Sequence, residues 1–172
     1  MKKHRLLFIC LGNICRSPMA EGAFRRVADE AGVLDRFEID SAGLGDWHVG
    51  QAPDTRAQAA TRRRGIDISG QSARQIARAD FASFDLLLAM DGSNVAELVR
   101  LMPKAHRAKI RPFLDFAPQL ETRDVPDPFF GGAEGFDHAL DLIEAASRGL
   151  LAALLEDAPI PADKRDGQSS RG

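Results

Sequence analysis

Hydrophobic and polar residues alternate along this chain in blocks of two periods. Leu6, Leu7, Phe8 and Ile9, inside the segment Arg5 to Cys10, form a short continuous apolar run, the pattern of a parallel strand buried on both faces. From Ser17, with Pro18 at the first helical position, Met19, Ala20, Ala23, Phe24, Val27 and Ala31 recur at helical spacing and stop at Gly32. This predicts strand, tight loop, helix. A second strand follows at Phe37 to Ala42, a helix from Asp54 to Arg64 ending at Gly65, and another very apolar strand at Asp85 to Met90. Asp91 reads as the cap of a helix in which Val95, Leu98, Val99 and Met102 share one face, and Ala108 to Phe113 supplies a fourth strand. In the final helix Phe136, Ala139, Leu140, Ile143, Leu150, Leu151 and Leu154 make one long apolar face.

Strands alternating with helices imply right-handed crossovers. The expected fold is a single-domain α/β structure, a doubly wound four-stranded parallel sheet with helices on both faces. Ligands bind such sheets beyond the carboxyl ends of the strands, where Cys10 falls. The folded domain is expected to span residues 1–157. Residues 158–172, with charges, prolines and a Gly-Gln-Ser-Ser run, are expected to form a flexible tail.

Composition narrows the classes of function. The 172 residues are 44% hydrophobic and 28% charged, a balance of soluble globular proteins. A formal net charge of -2 leaves no general positive field for a nucleic-acid backbone, so any anion site must be local. The N-terminal apolar run is only about six residues long, shorter than the hydrophobic region of a signal peptide, and no stretch approaches the length of a spanning helix. A cytoplasmic protein without a membrane or nucleic-acid partner is expected. Two cysteines, Cys10 and Cys15, do not make a disulfide framework or a paired zinc motif. His4, His48, His106 and His138 are scattered, which favours surface and capping roles over a metal site. Arg62, Arg63 and Arg64 form the strongest basic run and read as a solvated helix face rather than a docking patch.

The chemistry concentrates in Cys10-Leu11-Gly12-Asn13-Ile14-Cys15-Arg16-Ser17. Gly12 and Asn13 tolerate left-handed backbone, so the loop after the strand can turn successive N–H groups inward as an anion-binding nest. The following helix N-terminus adds partial positive charge, and Arg16 offers a planar fork for two phosphate oxygens. That field also favours a thiolate at Cys10, the nucleophilic form of cysteine, with Ser17 placed to donate to it. The blander alternative is a buried strand thiol followed by a helix-capping serine.

The segment CLGNICRSP resembles the phosphate loop of the low-molecular-weight protein tyrosine phosphatase family. Ser41-Ala42-Gly43, Trp47-His48-Val49-Gly50, Ala73-Arg74-Gln75, Met90-Asp91 with Asn94, and Asp127-Pro128 are similar to further family segments, in the family's order. The resemblance covers residues from about 5 to 155. It implies hydrolysis of phosphotyrosine or another aryl phosphate through a phosphocysteine. Cys10 would be the nucleophile, Arg16 the phosphate ligand and Asp127 the general acid and base. Asp124 is a rival carboxylate in the same loop. Leu11, Gly12, Asn13, Ile14, Cys15 and Ser17 would form the phosphate cradle, and Leu11, Trp47, Phe129 and Phe130 an apolar rim, with core packing as the alternative for Trp47. Ser41 and Asp91 are expected to support the loop, Ser41 otherwise being a turn residue. Inorganic phosphate is the expected product. No cofactor or metal is implied, because the loop and Arg16 supply the positive charge that magnesium would otherwise bring.

Two positions depart from the commonest family pattern. Phenylalanines occupy 129 and 130 where tyrosines are usual, in a chain that has no tyrosine. Gln71 stands where many relatives have histidine, which leaves the support role of that position open. Cys15 is either an apolar filler or a resolving thiol for oxidised Cys10, with peroxide inactivation that thiols reverse expected in the second case. A thiol-linked arsenate reductase would share the loop but needs further cysteines downstream of Cys15. A catalytically inactive phosphoprotein-binding module would lack the nucleophile or the acid.

Overall fold

The computed structural model describes residues 2–156; the boundary expected at residue 157 and the tail beyond it lie outside the described residues. Four strands, β1 (His4–Cys10), β2 (Phe37–Gly43), β3 (Leu86–Ala89) and β4 (Ile110–Pro112), form one parallel sheet in the order β2-β1-β3-β4. Around it lie α1 (Arg16–Glu30), α2 (Thr55–Arg63), α3 (Arg78–Ser83), α4 (Gly92–Leu101) and α5 (Ala133–Leu155), with short 3-10 turns between them.

The apolar run of β1 explains its central place. Side chains alternate across a strand, so Leu6 and Phe8 enter one core while Leu7 and Ile9 enter another. The first core joins Leu86 and Leu88 to the apolar faces of α1, α2 and α5, including Phe24, Ala57, Phe136 and Ile143. The second joins Leu87 and Ala89 to Phe81 of α3 and to Val95 and Leu98 of α4. Each fully buried leucine or phenylalanine stabilises the fold by roughly 2 kcal/mol, so neither face of the sheet can be left open. Every expected residue of the α5 face is buried.

Three details differ from the sequence pattern. α3 was not expected: it is only six residues long and too polar to show a period, and it is held by Asp80, which accepts from the amide of Ala77 at 2.7 Å. β4 is shorter than Ala108 to Phe113, because Ala108 and Lys109 belong to a 3-10 turn and Pro112 has no N–H to extend the ladder. Val99 is 37% exposed, so the buried face of α4 narrows to Val95 and Leu98, continued by Met102. Among the described residues no helix is long and apolar enough to cross a membrane.

The fold delivers β1 to the point where the connections diverge. β1 leads through α1 to β2 on one side, whereas the chain returns through α2 and α3 to β3 on the other. Cys10, opposite Gly43 in the register, therefore ends its strand at the switch point, over which the loops can gather.

Candidate active site

The loop from Cys10 to Arg16 is built by fixing its carbonyls. Cys10 O accepts from Leu44 N at 3.0 Å, Leu11 O from Gly45 N at 2.9 Å, Ile14 O from Asp54 N at 2.8 Å and Cys15 O from Met19 N at 3.2 Å. In a trans peptide the next residue's N–H points opposite to the carbonyl, so these bonds turn the amides of Leu11, Gly12, Cys15 and Arg16 away from the supporting elements. Glycine at 43 lets the loop lie close without crowding: a Cβ there would sit 3.0 Å from Gly12 C and 3.1 Å from Asn13 N.

Asn13 closes the turn with φ of 57°, a left-handed conformation that asparagine tolerates. Its Oδ1 accepts from the backbone N–H of Arg74 at 3.0 Å, which fixes the orientation of the amide. Its Nδ2 then donates to Ser17 Oγ at 2.8 Å and to Ser41 Oγ at 3.0 Å. Ser17 Oγ, an acceptor toward Asn13, has its own hydrogen left for Cys10 Sγ, 3.0 Å away. Asn13 N also donates to Cys10 Sγ at 3.3 Å. Two donors thus converge on the sulfur of a residue that is 3% exposed.

Arg16, also 3% exposed, is held by charge and geometry together. Its Nη1 donates to Asp91 Oδ2 at 2.6 Å and to Val125 O at 3.0 Å, and its Nη2 lies 3.6 Å from Asp127 Oδ2. Asp91 at once caps α4, accepting from Asn94 N at 2.8 Å. Burial works to raise its carboxyl, but hydrogen bonds from Arg16, Ser93 and Asn94 outweigh it and hold the group below its ordinary range.

The loop carrying Asp127 is clamped at several points. Val125 N donates to Met90 O at 2.8 Å, at the end of β3, while Val125 O receives Arg16. Asp124 Oδ1 accepts from Gly92 N at 2.9 Å and so is occupied at the start of α4. Arg56 donates to Gly131 O at 3.1 Å and lies 5.6 Å over the Phe129 ring. These ties bring Asp127 to the pocket from far along the chain.

The pocket has a volume of about 220 Å³ and is lined by Cys10, Leu11, Gly12, Ile14, Cys15, Arg16, Trp47, His48, Asp127, Phe129 and Phe130. Trp47 is 64% exposed, so core packing is excluded for it. Asn13 and Ser17, expected in the phosphate cradle, are not among the lining residues; they hydrogen-bond behind the loop, Asn13 also to Ser41, while Asp91 bonds Arg16. Cys15 is buried and unbridged, its thiol pushed up by burial and next by the charge of Asp54. Gln71 Nε2 donates to Pro18 O at 3.0 Å, bracing the first turn of α1.

Three contributors were given no task by the sequence, although Arg74 and His48 stood in family-like segments. Arg74 meets Asn13 through its backbone, and its guanidinium is held by Asp40 and Asp80, each at 2.9 Å. Arg56 acts through a carbonyl and a ring face. His48 lies against Gly12, where an added Cβ would meet His48 Cδ2 at 3.0 Å.

Residues 5–159 match the family model of low molecular weight phosphotyrosine protein phosphatases. The chain is 42% identical to a low molecular weight protein-tyrosine-phosphatase of Streptomyces coelicolor, over 89% of this chain and 94% of the relative. A solved protein tyrosine phosphatase of Entamoeba histolytica superposes with a TM-score of 0.87 at 37% identity, covering 90% of this chain and 99% of that one. Wzb of Vibrio vulnificus, solved in complex with benzylphosphonate, superposes with a TM-score of 0.77 at 26% identity, covering 87% of this chain and 97% of that one. The chain belongs to the low molecular weight phosphotyrosine protein phosphatase family and is a phosphoric monoester hydrolase.

Proposed function

We propose that this phosphatase hydrolyses phosphotyrosine and related aryl phosphate monoesters in two steps, with Cys10 as nucleophile, Arg16 as phosphate ligand and Asp127 as acid and base. The observation that carries this reading is the meeting in one pocket of Cys10, the Arg16 guanidinium and Asp127, with Arg16 only 3.6 Å from the Asp127 carboxylate. Cys10 Sγ attacks phosphorus while Asp127 gives its proton to the departing phenol oxygen, leaving a phosphocysteine and a neutral phenol. Asp127, now a carboxylate, takes a proton from water as the water oxygen attacks phosphorus, which releases inorganic phosphate and the thiolate. The loop amides and Arg16 hold the equatorial oxygens through both steps. Ser17 donates to the sulfur when it carries charge as nucleophile and again as leaving group.

The walls favour aryl over alkyl esters. Leu11, Ile14, Trp47, Phe129 and Phe130 surround the mouth with carbon surface, which suits a phenyl ring. The benzylphosphonate held by the Vibrio vulnificus relative supports the same preference. An arsenate reductase relay is disfavoured by the absence of any cysteine after Cys15. A purely binding role is disfavoured by the intact nucleophile and acid. A cytoplasmic location completes the proposal.

Turnover of p-nitrophenyl phosphate in the presence of EDTA tests it. Cys10→Ser is expected to abolish turnover, and Asp127→Asn to lower kcat about 100-fold. Asp124→Asn, altering a carboxylate engaged with Gly92, is expected to stay within about threefold of wild type. Activity in Cys10→Ser, or a larger loss in Asp124→Asn than in Asp127→Asn, would overturn the assignment.

A further inference from the structure

The apolar rim of the pocket is also a partition. Leu11 and Trp47 line the active-site pocket on one side and, on the other, a second groove of about 350 Å³ whose remaining walls are Leu44, Gly45 and Ser93, Asn94 and Glu97 of α4. Both partition side chains are open to solvent, Leu11 at 47% and Trp47 at 64%. The backbone beneath them is fixed to the nucleophile loop, since Leu44 N and Gly45 N bond the carbonyls of Cys10 and Leu11. The Trp47 ring rests directly on Gly45, where any Cβ would fall inside the indole. A glycine at 45 is therefore what lets the tryptophan stand as a wall shared by two cavities.

Three polar groups on the α4 side of this groove have partners. Ser93 Oγ donates to Asp91 Oδ1 at 2.7 Å, Asn94 Oδ1 accepts from Asp91 N at 3.3 Å, and the Glu97 carboxylate is held by the Arg100 guanidinium. Beside them lies the exposed carbon surface of Leu11 and Trp47, with Leu44 half-buried against the second core. A cation entering the groove would share Glu97 with Arg100, whereas an aliphatic group needs only to displace water. In an extended substrate neighbouring residues advance about 3.3 Å each, so a side chain one or two positions from the phosphotyrosine reaches a cavity that shares a wall with the pocket.

Building on the aryl phosphate reading, we infer that this groove is a second specificity subsite that takes an uncharged aliphatic side chain flanking the phosphotyrosine of a protein substrate. A small aryl phosphate has no such group and does not use it.

Phosphotyrosine peptides with serine, leucine or lysine placed in turn at each position from two before to two after the phosphotyrosine test the inference, with p-nitrophenyl phosphate as reference. Leucine at one of these positions is expected to raise kcat/KM about tenfold over serine, the effect of partly burying one aliphatic side chain. Glu97→Trp, which fills the groove from α4, is expected to remove that gain and leave p-nitrophenyl phosphate turnover unchanged, which also reports that the variant is folded. No gain from leucine at any position, a larger gain from lysine, or a leucine gain that survives Glu97→Trp overturns the subsite. Failure to turn over every phosphotyrosine peptide, with or without leucine, would instead overturn the aryl phosphate reading on which it rests.

Discussion

Arg16 Nη1 donates to Asp91 Oδ2 at 2.6 Å, joining the loop after β1 to the cap of α4. One carboxylate thus orients the Arg16 guanidinium and begins the helix beside it. Asp91→Ala removes both functions and leaves a guanidinium that is 3% exposed without its shortest partner. Stability is expected to fall by about 3 kcal/mol in urea unfolding, the combined effect of a lost cap and a broken, mostly buried pair. Turnover of p-nitrophenyl phosphate should fall further than in Ser93→Ala, which loses only a bond to the same carboxylate. Equal losses in the two variants would show that Asp91 acts on the helix and not on Arg16.

Asn13 combines a backbone demand with a side-chain one. Asn13→Ala forces alanine to φ of 57°, removes the donor to Ser17 and Ser41 and takes the acceptor from the Arg74 amide. Asn13→Gly relieves the backbone alone. The alanine variant is expected to lose about 3 kcal/mol of stability and the glycine variant about 1 kcal/mol less than that. Both should lose activity to a similar degree, because Ser17 is left free to turn from Cys10 in each. Recovery of wild-type kcat in Asn13→Gly would assign the residue a purely conformational role.

Elements with one strong period could be read from the chain, and those made by tertiary contact could not. β1, α1 and α5 carry long apolar patterns that burial enforces, and the residues from Cys10 to Ser17 state their chemistry in their order. α3 has no such pattern. It exists because Asp80 grips Arg74, which in turn presents its backbone amide to Asn13. A backbone amide has no residue signature, so Arg74 could be placed in a family segment but not given a task. Asp124 and Asp127 differ for a similar reason. Both stand in one short loop, and only tertiary contacts separate them: Asp124 accepts from Gly92, whereas Asp127 lies beside Arg16 and lines the pocket.

Trp47 should separate binding from stability. It is 64% exposed and rests on Gly45 instead of filling a core, so Trp47→Ala is expected to change unfolding stability by less than about 1 kcal/mol. Steady-state kinetics should show KM for p-nitrophenyl phosphate rising about tenfold with kcat nearly retained, the pattern of lost ring contact in the ground and transition states alike. A fall in kcat with unchanged KM would instead tie the indole to positioning of the reacting groups.

Glu21 gives the fold a pH dependence opposite in sign to that of Asp91. It is 6% exposed, and burial first of all holds its carboxyl above the ordinary 4.5, against the opposing pull of Arg25 and Ser41. A carboxyl raised in the folded state takes up a proton on folding. Its contribution is complete below the unfolded value near 4.5 and declines as pH rises through the folded value. Asp91, depressed in the folded state, contributes above its unfolded value near 3.8 and loses that contribution as pH falls through its lower folded value. Glu21→Gln removes the first of these titrations and keeps an acceptor for Arg25. Urea unfolding at steps from pH 4 to 8 should therefore show the difference between variant and wild type moving in the variant's favour as pH rises above about 4.5. A difference that stays constant over that range would mean that the Glu21 carboxyl titrates alike in the folded and unfolded chains.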